Sequence, residues 1–80
     1  MTAIQLAAIR EAIPFREFDL LLADGRQTHV EHPDLLSISS DRLTATVYCR
    51  PDVIEYLDLA QVVSARVRAP ELFDDEAAEV

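Results

Sequence analysis

The chain has no lysine, so its seven basic residues are all arginine. It has one cysteine and one glycine. Each scarcity excludes something. A lone Cys49 cannot form an internal disulfide or supply a multi-thiolate zinc site. An ordinary reduced, cytoplasmic protein is therefore expected. A lone Gly25 rules out G-x-G-x-x-G and the P-loop, which need several glycines to bring backbone to phosphate. No G-x-S-x-G elbow surrounds any of the serines at 37, 39, 40 and 64. No apolar run is long enough to span a bilayer. Met1-Thr2-Ala3-Ile4-Gln5-Leu6 lacks the basic leader and long apolar core of a secretion signal.

What is present is globular. The 80 residues are 50% hydrophobic and 28% charged, with a formal net charge of −8. Residues 1–70 carry ten acids against seven arginines, a net of −3. Residues 71–80 carry five acids and no base, a net of −5. The division predicts one small domain over 1–69 and an acidic, flexible tail over 70–80, with docking of Leu72 and Phe73 as the competing reading of that tail. A chain this short buries about 60% of its unfolded surface and is marginally stable alone. Pairing with a second copy would enlarge its core.

Thr2 as N-cap and Gln5 three residues later form a capping box, and Leu6, Ile9 and Ile13 recur at helical spacing. A helix over 2–13, ended by Pro14, is predicted. It reads as a lid over one open end or face of a sheet, with a dimer-forming helix as the competitor. Phe18, Leu20, Leu22 and Val30 share one face of a hairpin if the loop is Ala23-Asp24-Gly25 with Gly25 left-handed. That register pairs Phe18 with Val30 and Leu20 with Thr28, and turns Leu21 to the opposite face. Residues 33–37 read as a turn burying Leu35 or Leu36. Residues 43–49 and 53–57 are strands around the Arg50-Pro51-Asp52 turn, and 62–67 is a last strand after a brief helical turn. The expected fold is α+β: one helix, then a strongly bent antiparallel sheet of about five short strands. Closure into a small barrel would remove open edges; an open sheet under the helix is the alternative.

Chemistry is thinly supplied. His29, Glu31 and His32, with Asp34 nearby, are the candidate metal or hydrolytic residues. On a strand, His29 and Glu31 point away from His32. The plainer reading is a solvated strand face, with His32 hydrogen-bonded to the Pro33 turn. No metal, cofactor or catalytic group is assigned. Cys49 lies beside Arg50, which would favour a thiolate, but it shares a face with Val47 and Ala45, which favours an inert thiol. Arg10, Arg16, Arg26, Arg66 and Arg68 could gather beside Tyr48 or Tyr56 as a single-strand nucleic-acid platform. The acidic balance disfavours nucleic acid as a partner.

Pro14-Phe15-Arg16-Glu17-Phe18, Leu22-Ala23-Asp24-Gly25-Arg26, Val30-Glu31-His32-Pro33 and Leu57-Asp58-Leu59 together resemble a group of short bacterial proteins of uncharacterised function. Its pattern is P-F-x-x-F, L-x-D-G-R, V-x-H-P and a later I/L-D-L. The resemblance spans roughly 4–67 and departs at Arg50-Pro51-Asp52-Val53, where relatives often carry D-G. It transfers no activity or site residue. The element order is similar to small Sm-like or SH3-like barrels, and Sm-like proteins assemble into rings and bind RNA. The expected role is a non-enzymatic accessory or protein-interaction domain, self-associating as a homodimer. Contact would run through the helix and the face around Leu21, or through edge pairing of 62–67. An Sm-like nucleic-acid binder and a small metal-dependent hydrolase using His29 and His32 are the alternatives.

Overall fold

In the computed structural model, which describes residues 1–69, the capping box forms as the sequence requires. The Gln5 N–H donates to Thr2 Oγ1 at 3.1 Å, and the Thr2 N–H donates to Gln5 Oε1 at 2.9 Å. The helix α1 covers Ala3–Arg10 and is capped by Glu11. It is shorter than the expected 2–13. Pro14 disfavours helical backbone at Ile13, and Ile13 is 97% exposed. No buried contact rewards a further turn.

Strand β1, Phe18–Leu22, and strand β2, Gln27–Val30, form the expected hairpin. Phe18 lies opposite Val30 and Leu20 opposite Thr28. The Leu22 N–H donates to the Arg26 carbonyl at 2.9 Å, closing the loop around Gly25 at φ +94°. A 3₁₀ turn over Pro33–Leu35 leads into β3, Leu36–Ile38, a sixth strand not expected from the sequence. Leu36 is buried there. Strands β4, Thr44–Cys49, and β5, Val53–Asp58, flank the Pro51 turn. A second 3₁₀ turn, Leu59–Gln61, precedes β6, Val62–Val67.

The fold class is α+β, but the sheet arrangement corrects the expectation. The six antiparallel strands form two three-stranded sheets, β2-β1-β6 and β3-β4-β5, not one bent sheet, and no closed barrel forms. Pro33 and the 3₁₀ turn after it separate β2 from β3, so no ladder runs from one sheet into the other. The sheets meet through side chains. Phe18, Leu20, Leu22 and Val30 from the first join Leu36, Ala45, Val47 and Leu57 from the second in one core. Leu6 of α1 is fully buried in that core, so the helix acts as a lid. Leu43, expected on the buried face with Ala45 and Val47, is 64% exposed. It lies just before the strand, beside Arg42 at φ 64°, and falls outside the pleat. The expected acidic tail, 70–80, lies outside the described residues.

Candidate interaction surface

The histidine cluster divides among separate partners. His29 on β2 stands opposite Asp19 on β1. Its Nδ1–H donates to Asp19 Oδ1 at 2.7 Å and its Nε2–H to Glu17 Oε1 at 2.9 Å. Carboxylates only accept, so the full arrangement needs both ring protons. The hydrogen bond to Asp19 raises the His29 pKa above its usual value; partial burial opposes this, and Glu17 adds to it. Both ring nitrogens are thus engaged by carboxylates of β1 and the segment before it. Glu31 instead meets Arg50, with Nε to Oε1 at 3.2 Å. His32 Nδ1 accepts the Asp34 N–H at 3.1 Å and caps the 3₁₀ turn. His29, Glu31 and His32 are therefore not brought together. Among the described residues, no group of three or more His, Cys, Asp or Glu side chains is placed to hold a metal.

Cys49 lies half-buried on the inner face of β4. Burial pushes its thiol pKa up, and the nearby Glu55 carboxylate pushes it further. The neighbouring Arg50 is paired with Glu31.

Of the five arginines, Arg10 pairs with Glu11, Arg26 with Asp24, and Arg68 approaches Glu17 at 4.0 Å, while Arg16 makes no ion pair among the described residues. Arg66 lies across from Asp19. The positive charge is thus interleaved with acids on the outer face of β2-β1-β6 and at the helix end, while the tyrosines lie on the other sheet.

The two outer sheet faces differ in character. Leu21, half-buried, sits on the first with Asp19, Gln27, His29, Ser64 and Arg66 around it. The apolar contact face expected there is therefore largely polar. The outer face of β3-β4-β5 carries a cluster of exposed apolar side chains. Tyr48 lies opposite Ile54, and Tyr56 opposite Thr46. Their exposures are 40%, 51% and 78% for Tyr48, Ile54 and Tyr56. The Tyr48 hydroxyl donates to the Pro51 carbonyl, which pins the ring over the turn. Beside this face, β5 pairs with β4 on one side, and among the described residues no backbone hydrogen bond reaches its other side. Sequence reasoning placed Tyr48 on a face with Thr44 and Thr46 but did not carry it across the Pro51 turn. The register Cys49 opposite Val53 would have set Ile54 and Tyr56 on the same face.

No helix among the described residues is long and apolar enough to cross a membrane. Comparison of the chain with protein-family models, curated proteins and solved structures returns no significant match. The resemblance to the short bacterial group rests on the motifs in the sequence.

Proposed function

We propose that the chain is a non-enzymatic protein-interaction domain that self-associates through the outer face and open edge of β5. The observation that carries this reading is the juxtaposition of Tyr48, Ile54 and Tyr56 on one sheet face, beside a six-residue strand whose outer edge has no partner among the described residues. A flat, unpaired edge is a template for another strand, and proteins that keep such edges unpaired protect them with lysine, proline or bulges. Within β5 there is no lysine, proline or bulge, and its one inward-facing charge, Glu55, is bonded to Thr28. Antiparallel pairing of two β5 edges centred on Tyr56 keeps both outer faces on the same side. It would extend two three-stranded sheets into one of six strands, with the two Tyr56 rings side by side and Ile54 of each copy opposite Asp58 of the other. The nucleic-acid alternative draws no support from the arginine positions, and the hydrolase alternative none from the histidines.

The test is the solution mass of the intact chain by sedimentation equilibrium. A dimer is expected at micromolar concentration. Tyr56→Glu is expected to return the monomer mass with an unchanged far-ultraviolet dichroism spectrum, and Tyr56→Ser to weaken the dimer less. A monomer mass for the native chain throughout a wide concentration series refutes self-association.

A further inference from the structure

The one glycine of the chain follows an aspartate, so Asp24-Gly25 is its only Asp-Gly step. Such a step is chemically vulnerable. The Gly25 nitrogen can attack Cγ of the Asp24 carboxylic acid, because glycine has no side chain to hinder the approach. A C–O bond breaks and one water leaves, giving a five-membered succinimide. Water then adds back at either carbonyl carbon. Addition at the main-chain carbonyl breaks its bond to nitrogen and routes the chain through Cγ, as isoaspartate. Water is the only co-reactant.

The hairpin places this step at its tip, with Asp24 and Gly25 both exposed. Open space surrounds Gly25: an added Cβ would meet nothing within 4 Å. Two sets of contacts oppose the reaction. The Gly25 N–H donates to the Leu22 carbonyl at 2.9 Å, which holds the nucleophile in the turn. Arg26 occupies both Asp24 oxygens. Its backbone N–H donates to Oδ1 at 3.0 Å and its Nε–H to Oδ2 at 2.8 Å. Attack needs the neutral acid, and hydrogen bonds to the carboxylate favour the ionised form. The Arg26 N–H, and after it the guanidinium, hold the Asp24 carboxyl below its usual range.

We propose that Asp24-Gly25 is a site of isoaspartate formation that the fold holds in check through Arg26. The exposed ion pair adds little stability. The reaction, however, depends on the ionisation and placing of the carboxyl group, not on the stability of the fold. Isoaspartate lengthens the main chain by one methylene inside the loop that sets Phe18 against Val30. The modification therefore acts on the buried face of β1 and β2 as well as on the turn. It lies on the other sheet from β5, so the proposal does not depend on self-association there.

The test ages the full chain at mildly acidic pH, folded or in urea. Isoaspartate at Asp24 is read by mass-spectrometric peptide mapping and by methyl transfer from an isoaspartyl methyltransferase. The native chain is expected to convert several-fold more slowly when folded than in urea. Arg26→Gln, with an unchanged dichroism spectrum, is expected to convert several-fold faster than the folded native chain and at the native rate in urea. Added sodium chloride gives a second measurement, because salt weakens an exposed ion pair. It should speed conversion of the folded native chain and leave the rate in urea unchanged. The proposal is overturned if the folded and unfolded native chains convert equally fast, or if folded Arg26→Gln matches the folded native chain. Should that variant unfold, a folded native rate that does not respond to salt overturns it.

Discussion

Thr28 is the one buried polar residue in the described core, at 3% exposure, and its partner lies on the other sheet. Its Oγ1–H donates to Glu55 Oε1 at 3.1 Å, joining β2 to β5 where no backbone ladder does. Thr28→Val keeps the branched shape and removes the donor. A hydrogen bond to a charged group contributes roughly 1.5–3 kcal/mol. Glu55 is half-buried, so water recovers part of that, and a loss of about 1–2 kcal/mol is expected. For a domain of this size that lowers Tm by roughly 4–8 °C for each kcal/mol. Glu55→Leu alone leaves a buried hydroxyl unpaired and should cost about 1–3 kcal/mol. The double variant replaces the pair with apolar groups and should recover most of the loss, because an apolar pair needs no compensation. Urea unfolding followed by circular dichroism at neutral pH gives the four stabilities and their coupling. Coupling below about 0.5 kcal/mol, the range found for independent sites, would refute the bridge between the sheets.

Other outcomes follow from the same geometry. His29 has a raised pKa in the fold, so the stability it adds is fully present below its unfolded value, near 6.5, and is lost as pH rises through the folded value. Stability measured by urea unfolding across that window should fall in the native chain and fall less in His29→Gln; equal slopes would refute the role given to Asp19 and Glu17. Gly25 has φ +94° and open space around an added Cβ, so Gly25→Val should cost about 1–2 kcal/mol through backbone strain, and Gly25→Asn less. A loss in thermal melts no larger for valine than for asparagine would refute that account. Cys49, with its raised pKa and partial burial, should react with iodoacetamide at neutral pH more slowly than a free thiol of the same concentration, and should accelerate in urea.

The first hairpin was legible because two independent signals agree on it. Phe18, Leu20 and Val30 fix which face is inside, and Gly25 fixes the loop. Strand β3 was not legible. Three residues cannot show an alternation, and its identity comes from Leu36 pairing with Val47, eleven residues away. The helix start was written in Thr2 and Gln5, while its end was not set by Pro14 alone. Ile13 has the right spacing for a buried stripe, but the chain turns away after Glu11 and leaves it outside. The candidate surface was half legible. Alternation on β4 separates Tyr48 from Val47, yet alternation does not distinguish a face meant for water from one meant for a partner. That distinction needs the cross-strand neighbours, and here they are Ile54 and Tyr56.

The treatment of the four sheet edges narrows where association can occur. The outer edge of β2 turns toward β4 and is tied across by Thr28 to Glu55 and, just beyond the strand, by Glu31 to Arg50. The outer edge of β3 lies under α1, and Arg10 Nη1 donates to the Leu36 carbonyl at 3.2 Å. An edge carbonyl satisfied by arginine is poorly placed to accept a new strand. At β6, the Met1 amino group donates to the carbonyl of Val62 at 2.9 Å, holding the start of the strand. Beside β5 no such cover is found among the described residues, and the side chains next to it are the exposed Ile54 and Tyr56. Edge pairing through 62–67 thus meets an obstacle at its first residue, whereas pairing through 53–58 meets none among the described residues. A second copy can add strands at β5 without displacing any hydrogen bond made among the described residues, which is why its edge, not that of β6, carries the proposed dimer.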